Sequence, residues 1–206
     1  MKFKYIVIAL ITILLFTGCS ANKSATENTG TGYNPPALDA ETTYYADIAI
    51  ENYGLITVQL DQTAAPITCA NFVELVENGF YDGLTFHRIM AGFMMQGGDP
   101  LGNGTGGSEN TIVGEFAAND HENNLSHKRG VVSMARSQDP NSASSQFFIC
   151  HADSEFLDGQ YAAFGVVTEG LDIVDAVCED AEPTDNNGTI SAENQPVITS
   201  VKIRTE

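Results

Sequence analysis

The chain has 206 residues, with nine basic side chains against 27 acidic ones and a formal charge of −18. That imbalance argues against nucleic acid as a partner, because phosphate contact needs clustered Lys and Arg, and against electrostatic adhesion to anionic lipid. The length allows one domain of good size plus appendages.

Residues 1–18 stand apart. Lys2 and Lys4 precede an apolar stretch from Tyr5 to Phe16, followed by Thr17-Gly18-Cys19. A basic start, a short apolar core and small residues at its end describe a secretory signal. The stretch is shorter than the ~20 apolar residues of a spanning helix. Cys19 directly after Thr-Gly resembles a bacterial lipobox, although Phe16 stands where Leu is more usual. That resemblance implies lipidation of Cys19 as the new N-terminus. The expected location is extracytoplasmic, with the membrane reached through the N-terminal lipid only; the plainer reading is a secretory peptide that happens to contain Cys. Cleavage removes two basic residues and no acids, so the exported chain is more acidic still. Residues 19–43, rich in Ser, Thr, Asn, Gly and Ala with Pro35-Pro36 near the end, read as a flexible tether.

From Tyr44 to Glu206 the texture is that of a folded domain. Asp47–Ile50, the turn Asn52-Tyr53-Gly54 and Leu55–Leu60 predict a hairpin. Pro66 suits an early helical position, Ile67, Ala70, Phe72, Val73 and Val76 follow at roughly helical spacing, and Gly79 supplies the stop. Short strand-like runs occupy 85–89, 94–96, 131–135, 146–150, 163–167 and 197–203, and a second helix covers 171–178. Many short strands with two helices predict a mainly β domain, a closed antiparallel barrel with helices over its ends. Cys69, Cys150 and Cys178 are widely spaced and form no CxxC. Buried thiols fit them best, with a Cys69–Cys178 disulfide left open.

The run from Phe86 to Pro100, FHRIMAGFMMQGGDP, is the most informative stretch. It sets one Arg and one Gln among Phe and Met, then breaks into glycines, with no acid pair, nucleophile or metal cluster. Such a site can bind and deform a ligand but is poorly equipped for covalent chemistry. Alternation puts Met94 and Gln96 on one side of a strand and Phe93 and Met95 on the other. Further along, Gln146 and Phe148 oppose Phe147 and Ile149. Each strand thus offers an apolar face for the interior and a mixed face able to build a groove. The glycine loop at 102–107 lacks the GK[ST] ending of a phosphate cradle. His87, His121, His127 and His151 lack metal-ligand spacing, and Ser144-Ser145 lacks the glycines of a nucleophile elbow.

The Phe86–Pro100 run and Ser144-Ser145-Gln146-Phe147-Phe148-Ile149 closely resemble the signatures of the cyclophilins, the cyclosporin-type peptidyl-prolyl cis–trans isomerases, over about residues 45–205. The resemblance implies a closed eight-stranded barrel capped by two helices, acting as a monomer on proline-containing polypeptides without cofactor or metal. It makes Arg88 the catalytic guanidinium and places Phe93, Met94, Phe148 and Leu157 around the proline ring. Gln96 and Gln146 orient the peptide, the backbone of Ala135 and Arg136 pairs with it, and Gly104 borders a neighbouring pocket. Phe156 stands where the best-known eukaryotic members have Trp, and Tyr161 where they have His, which implies weak cyclosporin binding. Two other functions compete: a proline-peptide docking or chaperone module with incidental catalysis, and a surface adhesin.

Overall fold

The computed structural model describes residues 32–206; the signal segment, Cys19 and the first part of the expected tether lie outside the described residues. Eight strands carry the domain: β1 (Tyr44–Ile50), β2 (Gly54–Leu60), β3 (Thr85–Met90), β4 (Met94–Asp99), β5 (Val131–Met134), β6 (Phe147–Cys150), β7 (Ala163–Glu169) and β8 (Ile198–Thr205). Helix α1 (Pro66–Glu77) lies between β2 and β3, and α2 (Leu171–Asp180) between β7 and β8. The strands form one sheet in the order β3-β4-β6-β5-β7-β2-β1-β8, with every ladder antiparallel.

The β1–β2 hairpin shows why these residues make strands. Ala46, Ile48 and Ile50 alternate into the core, and Asn52 (φ 64°) with Gly54 (φ 129°) supplies the positive φ values that the turn requires. Helix α1 begins with Pro66 after Ala65, which has no capping side chain. The Glu115 carboxylate caps it instead, accepting the Ile67 and Thr68 N–H groups at 2.9 and 2.7 Å. Its buried face sends Phe72 into a cluster with Tyr81, Phe147 and Phe164, ring centroids 5.0–5.7 Å apart.

The sheet curls into a half-barrel and does not close, which corrects the closed barrel expected from the sequence. Its edge strands β3 and β8 approach at one bridge, Thr85 with Val197 just before β8. Beyond that point a loop covers the outer edge of β3: Ile89 donates to the Gly188 carbonyl at 2.8 Å, and Ile190 donates to the His87 carbonyl at 2.9 Å. Those groups on β3 are therefore unavailable to β8.

Residues 33–43, inside the span expected to be tether, pack on the domain. The Tyr33 N–H donates to the Thr111 carbonyl, its hydroxyl donates to the Glu74 carboxylate at 2.9 Å, and Pro35 is buried. Tyr33 and Leu38 supply apolar contact that the polar average of the segment conceals. Cys69, Cys150 and Cys178 are free and buried, so the Cys69–Cys178 disulfide left open above is not formed. Burial pushes the Cys150 and Cys178 thiols up to about 12, which leaves them inert as nucleophiles.

Candidate active site

Arg88 lies on β3 opposite Gln96 of β4, and Gln96 lies opposite Phe148 of β6. Cross-strand register thus lines up guanidinium, amide and ring on the outer face of three neighbouring strands. Inner-face Met95, Phe147 and Ile149 are fully buried in the main core. Met94, Phe148 and Cys150 form a second apolar cluster, walled by Met90, Phe93, Ala135, Leu157 and Tyr161. The alternation in the sequence therefore separates interior from groove at every position but Phe93. That residue sits in the turn before β4, where period two no longer applies, and its ring joins the groove.

A hollow of about 150 Å³ opens there, lined by Arg88, Phe93, Met94, Gln96, Ala135, Arg136, Phe148, Leu157 and Tyr161. A second, more polar hollow of about 240 Å³ adjoins it and shares Gln96, Ala135 and Arg136, with Gly104, Ser144 and Gln146 in its wall. Phe156 lines neither. It stands 71% exposed on the rim, its ring 5.5 Å from that of Phe93.

The Arg88 guanidinium is held without neutralisation. Nε donates to the Asn187 carbonyl at 2.8 Å and Nη1 donates to Gln96 Oε1 at 3.2 Å. Nη2 donates to Asn187 Oδ1 at 3.4 Å, and the other contacts are weak sulfur acceptors, with Met90 Sδ 3.3 Å from Nη2 and Met94 Sδ 3.9 Å from Nη1. Among the described residues no carboxylate forms an ion pair with Arg88. Burial lowers its pKa, yet a guanidinium stays charged at any working pH. The polarity then passes along two amides: Gln96 Nε2 donates to Gln146 Oε1 at 2.9 Å, and Gln146 Nε2 donates to the Gly106 carbonyl at 2.7 Å.

The glycine-rich loop wraps around a carboxylate of its own chain. Buried Asp99 accepts the N–H groups of Leu101, Asn103 and Gly104 at 2.8, 3.1 and 2.6 Å. Burial pushes its pKa up, and these amides more than offset that, holding it below the usual value. A Cβ on Gly106 would stand 2.1 Å from Asp99 Oδ1, which is why glycine occupies that position. The expected backbone edge is half committed: the Ala135 N–H already donates to the Gln146 carbonyl at 2.9 Å. The Arg136 guanidinium stacks on Phe116 and Tyr161, 5.0 and 4.8 Å from their centroids. It also donates from Nε and Nη2 to the Gln160 carbonyl.

Two groups of residues important to the site are not assigned to it from the sequence. Asn187, in a turn organised by Asp185, holds Arg88 from a strand edge far along the chain. Its only sequence signal is the Asp-Asn-Asn-Gly turn. Beneath Phe148, buried His127 stacks on the ring (centroids 6.0 Å, 16°). Its Nδ1 lies 2.8 Å from Asp158 and its Nε2 3.0 Å from Ser133 Oγ. A carboxylate can only accept, so Nδ1 carries the proton and Nε2 accepts from Ser133. The residue types are those of a hydrolase triad, but Ser133 is fully buried and no substrate carbonyl reaches it. The network props the pocket floor.

Burial lowers the His127 pKa against the pull of Asp158, and burial lowers that of His87 as well. In the unfolded chain both rings titrate near ~6.5. Below that value the unfolded chain binds more protons, so stability falls with the pH until the folded rings titrate too. Asp158, whose folded pKa is depressed, adds to this loss only at more acidic pH. Urea unfolding at pH 7.5 and at pH 5 is expected to show the drop and to show a shallower one for His127→Gln. Equal drops would remove His127 as a source.

Comparison with known proteins decides the family. The profile described as "Cyclophilin type peptidyl-prolyl cis-trans isomerase/CLD" matches residues 45–205. The chain belongs to the cyclophilin family. Its enzymatic class is peptidyl-prolyl isomerase, the activity that its relatives are named for. Peptidyl-prolyl cis-trans isomerase A of Dickeya dadantii is 36% identical over 97% of both chains. The isomerase of Helicobacter pylori is 44% identical over 66% of this chain and 81% of its own. Among solved structures, a cyclophilin of Cryptosporidium parvum, crystallised in the presence of the dipeptide Ala-Pro, superposes with a TM-score of 0.68. It is 30% identical, and the match covers 79% of this chain and 99% of that one.

Proposed function

We propose that this cyclophilin accelerates rotation about X–Pro bonds in exported proteins, with Arg88 as the catalytic group, Phe93, Met94, Phe148 and Leu157 as the proline pocket, and a lipid on Cys19 as its anchor. The observation that carries the proposal is an uncompensated guanidinium at the mouth of an apolar hollow of proline size. An X–Pro amide resists twisting because nitrogen shares its lone pair with the carbonyl; amide barriers run to ~18–20 kcal/mol. At the twisted transition state that pair localises on the prolyl nitrogen. An Arg88 N–H in place of its weak sulfur contact then binds the twisted form better than either planar one. The hollow holds the ring while the preceding carbonyl swings, and no covalent intermediate forms.

The direct test is exchange NMR on a proline tetrapeptide with the purified chain: cis and trans signals are expected to broaden at catalytic concentrations, and sharp signals would refute catalysis. The export reading rests on the basic start, the apolar stretch and Cys19. It has its own test, since intact mass of the protein from a membrane fraction is expected to begin at Cys19 carrying acyl chains. A chain beginning elsewhere, or without lipid, would replace the anchor with plain secretion.

Cyclosporin binding should be weak, because the exposed Phe156 ring has no N–H to offer. Phe156→Trp supplies one and is expected to tighten binding about tenfold, the worth of one added hydrogen bond in a favourable site. An unchanged titration would shift the cause to Tyr161.

A further inference from the structure

Phe93 forms one wall of the proline hollow from a short loop, Ala91-Gly92-Phe93, that joins β3 to β4. The Phe93 N–H turns back to the Met90 carbonyl at 2.9 Å, and Gly92 takes φ 78°. Ala91 and Gly92 are exposed, and a Cβ at Gly92 would meet nothing within 4 Å, so packing does not hold the loop at that point. Hydrogen bonds do. His151, the first residue after β6, accepts the Gly92 N–H on its ring Nδ1 at 2.9 Å. Its own backbone N–H donates to the Phe93 carbonyl at 2.9 Å.

The ring is in turn held from behind. Because Nδ1 accepts, the proton resides on Nε2, which faces Asp175 Oδ1 of α2 at 3.1 Å. Asp175 receives both Nη groups of Arg129 at 2.9 and 2.8 Å, so the carboxylate is fixed. A carboxylate on one imidazole nitrogen sets the tautomer and makes the other a better acceptor. The relay Arg129–Asp175–His151–Gly92 thus ties the loop to a helix that does not contribute to the hollow.

We infer that His151 is a positioning residue of the isomerase, fixing the loop that presents Phe93 to the proline ring. The inference rests on Phe93 serving as a wall of that pocket. It predicts a particular kinetic pattern. Releasing the loop loosens the wall that grips the ring but leaves Arg88 tied to Asn187 and Gln96, so ground-state binding suffers more than the chemical step.

The test uses the full chain, exchange kinetics on a proline tetrapeptide, and two variants. His151→Ala is expected to raise KM about fivefold, the worth of one lost hydrogen bond, with kcat within about twofold. His151→Asn places an acceptor oxygen where Nδ1 stands and is expected to recover most of the loss. Amide hydrogen exchange of Gly92 reads the clamp without turnover: protected in the unsubstituted chain despite the exposed loop, fast in His151→Ala. Its measurement on the unsubstituted chain needs no variant to fold and is independent of the role of Arg88. Free-loop exchange at Gly92 in the unsubstituted chain, an unchanged KM in His151→Ala, or an Asn variant no better than the Ala variant would each overturn the assignment.

Discussion

Arg88→Ala is expected to cut kcat/KM for a proline tetrapeptide about 10²–10³-fold, the usual cost of removing one donor aimed at developing charge. The loss should fall mainly on kcat, because the guanidinium binds the localised lone pair of the twisted bond far better than the delocalised planar one. The fold should persist. The Arg88 side chain is only partly buried, and its partners are the Asn187 carbonyl and side-chain oxygens, the Gln96 amide and two thioethers, each of which water or a neighbour can satisfy. Arg88→Lys should be nearly as poor. One ammonium cannot hold the Asn187 carbonyl and Gln96 Oε1 and still present an N–H toward the ring, since it lacks the planar fork. A protease-coupled assay checks both variants. Turnover by Arg88→Ala comparable to the unsubstituted chain would strip Arg88 of its role and favour the docking-module reading, in which the hollow binds proline and catalysis is incidental.

Much of this site is legible in the sequence because it is built on strands, where parity decides which side chain faces which way. Met94, Gln96, Gln146 and Phe148 fall on the groove side as alternation requires, while Met95, Phe147 and Ile149 fill the interior. Phe93 escapes parity because it belongs to a turn, and only the family resemblance puts it on the groove side, where its ring lines the hollow. Asn187 and His127 are illegible for a different reason. Each reaches the site across a long sequence separation, Asn187 by lying along the open edge of β3 and His127 by stacking under β6. Beyond the Asp-Asn-Asn-Gly turn at Asn187, nothing local in their segments marks them out. The same edge explains the misjudged barrel: counting strands gives eight, but whether the first and last pair depends on what the 182–190 loop does.

Composition misleads in two places. The glycines at 102–107 suggest an anion cradle, and the loop is one, but the anion is the chain's own Asp99. A similar substitution occurs at α1. Its sequence offers Pro66 as a start signal with no Ser, Thr, Asn or Asp at the cap, so the helix looks under-specified. The missing cap arrives from Glu115, 48 residues from Ile67. Local signals therefore understate how firmly the helix is tied down.

That remote cap carries the largest expected effect on stability. Glu115 is fully buried, with Oε1 accepting from Ile67 and Oε2 from Thr68. A carboxylate out of water is costly unless its lone pairs are filled and opposite charge is near. Here the two orphan amides and the positive end of the α1 dipole provide both. Glu115→Ala leaves the buried Thr68 N–H and the part-buried Ile67 N–H without acceptors and opens a cavity, so a loss of about 3–4 kcal/mol is expected. For a domain of this size that lowers Tm by roughly 6–15 °C. Glu115→Gln keeps the volume and one acceptor but points an amide N–H at a backbone N–H. It should cost less than the Ala variant, about 2 kcal/mol, if cavity and charge both contribute. Thermal unfolding of the three chains separates these contributions. A Glu115→Ala chain melting within about 2 °C of the original would mean that water, or a shift of the helix start, replaces the cap, and that α1 is held by the apolar face around Phe72 alone.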